Sequence, residues 1–493
     1  MIPVVVEIDV DKKAVIYDID IVGLGDTVVK ESKKRVKSAI KNSGFKVPNG
    51  KIVVNLAPSD VKKEGSYLDL PIAAGLLKAN DVISKNLDEF VFFGELGLDG
   101  SLRKVRGVLP ILISLQKNDK NLKVILPKEN ESEASVVEGI DIYVMENLNE
   151  MVRFINGYVE KRPVKFKVPQ MKTGKVEDMS DIKGQEFAKR AAEVAAAGGH
   201  NILLMGSPGC GKTMLARRIP GILPPMTLNE AIETTMIYSV SGLLNDSGLI
   251  ITRPYRSPHH TASSTAIIGG GTQAKPGEIS LAHNGVLFLD EFPEFRRDVI
   301  EALRQPLEDS EVTISRAKLS VTYPSRFMLV LAQNPCPCGW YGDDSRECTC
   351  NWNEIKRYNK KISGPMEDRI DIFVNMPRIE YKKYRDFESG ETSEKIRKRV
   401  EMARRIQLDR LKKYGIYSNG QLSHKMLEEI IEMEIPAKLL LENAADKMKL
   451  TGRSIDKILK VCLTISDLEG ERVISPKILA EALQYRKKQN NYD

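Results

Sequence analysis

The 493-residue sequence has no run approaching ~18 consecutive apolar residues, which excludes a membrane-spanning helix. Its first residues, MIPVVVEIDVDKK, lack a basic n-region, and their apolar stretch is too short for a signal peptide. A cytoplasmic protein is expected. Excess charge is small: 74 Lys and Arg against 67 Asp and Glu leave +7, weak over this length. Charge therefore permits a nucleic-acid partner without requiring one, and clustering has to decide. Cysteine is scarce, with six residues, yet Cys336, Cys338, Cys348 and Cys350 fall within one short segment. In a cytoplasmic chain such a cluster reads as metal-binding or redox-active before it reads as a disulfide framework. Internal repeats and low-complexity tracts are also absent. With 42% hydrophobic and 29% charged residues the chain is globular, because disorder needs far fewer apolar residues. A prior of ~150 residues per domain suggests two to four domains.

Residues 1–160 alternate strand and helix patterns. VVVEIDV, KAVIYDIDIVGL, KIVVNLAP, VFFGELGL, KVILP and IDIYVM read as strands. Residues 26–41 read as a helix whose apolar stripe is Val29, Val36 and Ile40. LDLPIAAGLLKAN reads as a more apolar helix. The polar, basic, proline-bearing stretch 161–178 reads as a linker. A second α/β block runs over 179–378, and 379–493 has helical periodicity nearly throughout.

The strongest motif is NILLMGSPGCGKTMLARRI. An apolar strand at 201–205 runs into Gly206, Ser207, Pro208, Gly209, Cys210, Gly211, Lys212 and Thr213, and a helix follows. This is G-x-x-x-x-G-K-[ST] in its strand–loop–helix setting. Glycines let consecutive N–H groups wrap a phosphate chain, and the helix N-terminus adds its positive dipole end. Lys212 is expected against the β- and γ-phosphates of ATP, and Thr213 on Mg²⁺. Cys210 occupies a variable position with no chemistry assigned. About 80 residues on, VLFLDE ends an apolar strand in two carboxylates. Asp290 is expected in the Mg²⁺ shell, and Glu291 against the attacking water. A third apolar strand, 327–332, ends in Gln333 and Asn334, a polar side chain placed to reach the γ-phosphate.

The cysteines form two C-x-C pairs separated by nine residues. Four thiolates suit tetrahedral Zn²⁺ at ~2.3 Å. Unbound reduced thiols and a redox or iron–sulfur site stand as alternatives. A metal there would be structural, since all four ligands are protein. It would cross-link the loop that leaves Asn334 and present Trp340, Tyr341 and Trp352 at a surface.

These elements, in this order, resemble the AAA+ ATPases, and within them the magnesium-chelatase-like branch that includes the ComM/YifB group. The resemblance covers nearly the whole chain. It is carried by NLAPSDVKKEGSYLDLPIA, GELGLDGSLRKVRGVLP, DIKGQEFAKRAAEVAAAGGHNILLMGSPGCGKT, RPYRSPHHTASSTAIIGGG, LAHNGVLFLDEFPEF, LAQNPCPCG and TGRSIDKILKV. It implies that Gly184 and Gln185 lie beside the adenine and that Asn334 is sensor 1. It also implies that Arg369 reaches into a neighbouring subunit's site and that Arg453 is the sensor-2 arginine of a helical lid. A trans arginine adds ~10³ to 10⁵ in rate and makes hydrolysis depend on assembly.

Residues 253–282 resemble the insertion that marks this branch. His259 and His260 there have no acidic or cysteine partner at metal spacing, so a loop touching a substrate or a neighbouring subunit is expected. His283 reads as structural. Residues 311–323 alternate with period two around Arg316, Ala317 and Lys318, a hairpin whose basic tip the family points at the ring's pore. Such tips contact DNA phosphates without reading bases; a solvated turn is the alternative. Residues 394–413 carry nine basic and three acidic residues around a stripe of Ile396, Val400, Ala403 and Leu411. Their outer faces either bind DNA or are simply solvated.

Residues 1–160 resemble the Lon-protease-type domain, which shares its fold with a ribosomal protein and with the C-terminal part of the RadA motor. The catalytic serine position falls near Tyr67, one residue from Ser66, and the lysine position near Leu109, so no Ser–Lys dyad is expected. An assembly or DNA-contact role fits better, with Lys62, Lys63, Arg103, Lys104 and Arg106 as a basic surface.

The expected fold is thus α/β: a Lon-protease-like N-terminal α/β domain (1–160), a linker (161–178), an AAA+ P-loop core (179–378) carrying the cysteine cluster 336–350, and a helical C-terminal lid domain (379–493). The expected activity is that of a hexameric ATPase using ATP, Mg²⁺ and structural Zn²⁺ to move on single-stranded or branched DNA, by helicase action or branch migration in recombination or DNA uptake. The competing reading is a MoxR-like or magnesium-chelatase-I-like ATPase that remodels a protein partner.

Overall fold

The computed structural model describes the chain except residues 1–2, 12, 14–17, 24, 26, 60–62, 64, 119–121, 168–176, 245–247, 272–273, 317–318, 379–389 and 488–493. Lys62, Lys318, half of the expected linker and the expected start of the helical region lie outside the described residues. The chain forms two compact units: residues 1–170 with 231–250, and residues 171–230 with 251–493. The division at Glu230 falls inside the helix Leu228–Ser241.

In the first unit, Lys51–Ala57 is the central strand of a three-stranded sheet. It pairs antiparallel with Val5–Asp11 and parallel with Asp18–Val22. Period-two alternation sends Ile52, Val54 and Leu56 into the core. The helices Thr27–Asn42 and Asp69–Ala79 supply the facing side chains, Val29, Val36 and Ile40 among them. A second sheet is all-parallel: Lys123–Pro127 lies between Phe90–Phe92 and Asp141–Met145. The stretch expected as one strand, VFFGELGL, divides at Phe93 and Gly94, so that Glu95–Leu96 pairs with Leu102–Arg103 instead.

Three residues singled out in the sequence find internal partners. Lys63 is a correction: it is buried and donates to the Pro58 carbonyl, so it forms no basic surface. Ser66 donates its hydroxyl to Glu95, a carboxylate and not a lysine, and Leu109 is fully buried in apolar surroundings. Asp69 is wholly buried and takes a bidentate contact from Arg35, Nε at 2.8 Å and Nη2 at 3.1 Å, besides the Leu96 amide.

The second unit is built on a five-stranded parallel sheet. Its spatial order is Tyr255–Arg256, Val286–Leu289, Met328–Gln333, Ile202–Met205, Ile372–Asn375, so the strand first in sequence lies between the last two. Both faces are covered. Ile202, Leu204, Phe288 and Val330 belong to one hydrophobic cluster, while their neighbours Leu203, Leu287, Leu329 and Leu331 belong to another. Burial on both faces is why these strands read as unbroken apolar runs. A two-stranded hairpin, Glu311–Arg316 with Leu319–Pro324, stands between the third and fourth strands in sequence. Its strands match the expectation; the Arg316 side chain and Lys318 at its tip lie outside the described residues.

The C-terminal part is helical: Ser393–Leu411, Ile435–Met448, Gly452–Glu469 and Pro476–Gln484. Ile396, Val400, Ala403 and Leu411 are buried as their spacing predicts. Several arginines of this basic helix are occupied inside the unit. Arg399 pairs with Glu193 at 2.5 Å and Glu391 at 2.6 Å, Arg410 pairs with the buried Asp467 at 2.7 Å, and Arg404 donates to the Ala196 carbonyl at 3.0 Å. This part of the basic count is packing.

Removing one partner of a buried ion pair leaves an uncompensated charge. Arg35→Ala is expected to destabilise the first unit by about 3 kcal/mol, read as a shift of its urea-unfolding midpoint. An unchanged midpoint would show that Asp69 is satisfied by the Leu96 amide alone.

Candidate nucleotide site

The C-terminal ends of the parallel strands bring most of the singled-out residues together in the second unit. Strand Ile202–Met205 delivers the turn 206–211, and the helix Lys212–Ile222 starts at the lysine. Gly209 and Gly211 hold φ of 79° and 99°, the left-handed region that favours glycine. A Cβ on Gly206 would lie 2.4 Å from the Met376 carbonyl oxygen and 2.6 Å from Cys210 Sγ, so the turn is closely backed. Burial raises the Cys210 thiol pKa, against the opposing effect of Lys212, in keeping with a packing role.

The Lys212 ammonium is buried and donates to the carbonyls of Gly206 at 2.6 Å and Ser207 at 3.1 Å, and to Asn334 Oδ1 at 3.1 Å. Strand Met328–Gln333 thus carries Asn334 directly against the phosphate-loop lysine. Thr213 Oγ1 donates to Asp290 Oδ2 at 2.8 Å. Asp290 follows the fully buried strand Val286–Leu289, and its other oxygen accepts the Glu291 amide at 2.9 Å. The donor set fits a phosphate chain with its cation: a glycine turn, a lysine, and a hydroxyl touching a carboxylate.

Glu291 adopts φ 50°, ψ 42°, a left-handed conformation uncommon for a side chain of this size. Its carboxylate is half-exposed and meets His260 Nδ1 at 3.2 Å. The His260 ring packs on His259 at a centroid distance of 4.1 Å and edge-on to Phe295. Sequence spacing hides this partner, because the separation of 31 residues from His260 to Glu291 is bridged by the sheet pairing of Tyr255–Arg256 with Val286–Leu289.

Gly184 and Gln185 are both left-handed, at φ 65° and 58°. The Gln185 amide donates to Cys210 O at 3.2 Å and Pro377 O at 2.6 Å, tying the phosphate loop to the end of strand Ile372–Asn375. A cavity of about 1930 Å³ opens here, lined by Ile182, Gln185, Gly209, Met376 and Tyr341 among others.

Arg369 and Arg453 are not at this end. The Arg369 carbonyl accepts from Asn201 Nδ2 at 2.8 Å, which fixes it at the N-terminal edge of the sheet. Asn201 precedes Gly206 by five residues, a separation of roughly 17 Å along a strand. The Arg369 guanidinium pairs with Glu308 and with the Pro365 carbonyl. Burial, then the nearby Arg304 and Arg453 cations, lower its pKa. Arg453 is largely exposed and contacts Asp368 at 3.3 Å, beside Arg369.

The four cysteine sulfurs lie within 4.8 Å of one another, with Cys336, Cys338 and Cys348 at mutual distances of 3.4, 3.7 and 3.5 Å. A tetrahedral S₄ site with ~2.3 Å bonds places sulfurs roughly 3.8 Å apart. Backbone N–H groups aim at sulfur: Cys338 N to Cys350 Sγ and Tyr341 N to Cys336 Sγ, both 3.3 Å. This set is compatible with a zinc ion.

The fold and this constellation define a P-loop protein of the AAA+ type, and known proteins agree. Family models described as "Magnesium chelatase, subunit ChlI", "Subunit ChlI of Mg-chelatase" and "Magnesium chelatase, subunit ChlI C-terminal" match residues 178–384, 6–130 and 390–486. The chain is 45% identical over 475 residues to competence protein ComM of Haemophilus influenzae, covering 94% of this chain and 91% of that one. It is 40% identical to the uncharacterized protein YifB of Escherichia coli, covering 98% and 94%. Lon protease 2 of Bacillus subtilis is 25% identical over 218 residues, 42% of this chain and 35% of that one. The chain belongs to the ComM/YifB family of magnesium-chelatase-like AAA+ proteins, which supports ATPase activity. Among the described residues no helix is long and apolar enough to cross a membrane.

A side chain at Gly206 has no room. Gly206→Ala is expected to abolish binding of a fluorescent ATP analogue while the protein remains folded by circular dichroism. Unchanged affinity would show that the loop accommodates a methyl group and is less rigid than its contacts imply.

Proposed function

We propose that this chain is a ring-forming ATPase that couples ATP hydrolysis to movement on DNA. The observation that carries the reading is the division of its charged residues between opposite ends of one parallel sheet. At one end Lys212, Thr213, Asp290 and Asn334 share contacts; at the other stand Arg369 and Arg453. An arginine side chain does not span the strand between them, so these arginines serve the nucleotide of a neighbouring copy. A ring, with six copies as its expected number, is the closed arrangement that gives every site such a neighbour.

In each site the phosphate loop and Lys212 bind the phosphates, and Gly184 and Gln185 flank the base. Thr213 and Asp290 hold the magnesium ion, which when bound neutralises phosphate charge. Glu291 orients the attacking water once its contact with His260 is released, and Asn334 positions the γ-phosphate end. Arg369 and Arg453 of the adjoining copy stabilise charge on the transferring group. Cys336, Cys338, Cys348 and Cys350 hold a structural zinc ion. DNA is favoured as the track by the basic hairpin around Arg316 and Lys318 and by the name of the relative ComM, a competence protein.

The steady-state ATPase rate, measured with no DNA, single strands, duplex and a four-way junction, tests the reading, with Glu291→Gln as the blank. Stimulation by single-stranded or branched DNA that is lost at high salt is expected. A rate indifferent to every DNA would shift the reading to a magnesium-chelatase-I-like or MoxR-like ATPase acting on a protein partner.

The trans assignment has its own test. Arg369→Ala and Lys212→Ala proteins are each expected to be inactive alone and to recover turnover when mixed. Failure of the mixture would place Arg369 outside the site.

A further inference from the structure

We propose that the four-cysteine loop is a metal-set wall of the nucleotide site, so that its metal and the nucleotide bind cooperatively, with Asp343 as a positioning residue within that wall. The inference rests on the reading that the cysteines hold zinc.

The first support is place. Strand Met328–Gln333 delivers Asn334 against Lys212, and Cys336, fully buried, is only two residues further on. The loop therefore begins inside the site.

The second support is contact. Gly339, at φ 86°, approaches so closely that a Cβ there would lie 2.8 Å from Pro208 Cγ in the phosphate loop. The nearby hydroxyl of Ser207, the neighbour of Pro208, and the bonds from Ser345 together bring the Asp343 carboxyl down to about 2. Asp343 accepts the Ser345 amide at 2.8 Å, and Ser345 Oγ accepts from Arg378 Nη1 at 2.8 Å. Arg378 follows Pro377, whose carbonyl holds Gln185 at 2.6 Å. From Pro208 a path runs through Gly339 and Trp340, whose carbonyl accepts the Asp343 amide at 3.1 Å, to the base end of the cavity, and its middle is the cysteine loop.

The third support is what orders that middle. Residues 335–350 contain no helix or strand. Fixing such a segment costs about 1–2 kcal/mol of backbone entropy per residue. Besides the Asp343, Ser345 and Arg378 bonds and the backbone bonds Gly339 N to Cys336 O at 3.0 Å and Asp343 N to Trp340 O at 3.1 Å, the ordering contacts are a pair of N–H···S bonds, Trp340 flanked by the Arg346 and Arg378 guanidinium groups at 5.2 and 5.9 Å, and the sulfur cluster itself. Without a cation, thiolates this close repel one another, and neutral thiols bond weakly. Metal removal then loosens the wall, freeing Pro208. Because a coupling free energy is reciprocal, bound nucleotide must retain the metal by the same factor.

The experiment uses the full-length protein. Zinc content is measured first, in protein purified without chelator. The Kd of a fluorescent ATP analogue is then measured with excess magnesium, before and after treatment with a zinc-selective chelator under reducing conditions, and again after zinc is restored. In parallel, the zinc-release rate is followed with and without ATP. Nucleotide affinity is expected to fall about tenfold or more on zinc loss, to return with zinc, and to be mirrored by slower zinc release when ATP is bound. Asp343→Ala is expected to keep its zinc and still bind nucleotide at least fivefold more weakly, with Asp343→Asn, which retains an acceptor, intermediate. Protein with no zinc overturns both the zinc reading and the coupling. Stoichiometric zinc with a Kd indifferent to its removal overturns the coupling alone.

Discussion

Everything at the candidate site depends on one buried ammonium. Lys212 is only 8% exposed, and an unpaired charge so placed would cost several kcal/mol. Two carbonyls of its own loop and the amide oxygen of Asn334 satisfy it. That bonding fixes the loop's path and locks the end of strand Met328–Gln333 to the end of strand Ile202–Met205. The sheet supplies the rest of the rigidity. Its strands are buried on both faces, so a register slip would disturb two cores at once.

The parts of the site legible in the sequence were those that are local. The glycine turn, lysine and threonine form one continuous string. Asp290 and Asn334 each end an apolar strand, and parallel α/β topology brings such ends to one edge. The burial of Ile396, Val400, Ala403 and Leu411 followed from helical period alone. The α/β character of both units and the helical C-terminal region were legible for the same reason.

The rest was hidden because it depends on tertiary partners. His260 meets Glu291 only because strand Tyr255–Arg256 lies beside strand Val286–Leu289. Basic counts misled in two places. Lys63 is buried against a backbone carbonyl, and Arg399, Arg404 and Arg410 bond to partners far away in sequence. Composition counts a cation the same way whether it faces water or a buried carboxylate. Likewise the C-x-C spacing names a donor set, but the approach of Gly339 to Pro208 is visible only once the chain is folded.

The polarity of a parallel sheet carries a consequence for assembly on the proposed reading. All five strands run the same way, so the loops that bind phosphate gather at their C-terminal ends. Residues entering the strands, Asp368 and Arg369 among them, necessarily gather at the other. A chain built in this way presents a nucleotide at one end and a cationic group at the other. Head-to-tail contact between copies is the arrangement that unites them, and closure of such contacts gives a ring. On that reading Glu308, which pairs with Arg369, is the resting partner of a cation proposed to work on another chain. The same logic separates the two devices at the site. On the proposed reading the cysteine loop acts within one copy, on the phosphate loop beside it, whereas the arginines act between copies.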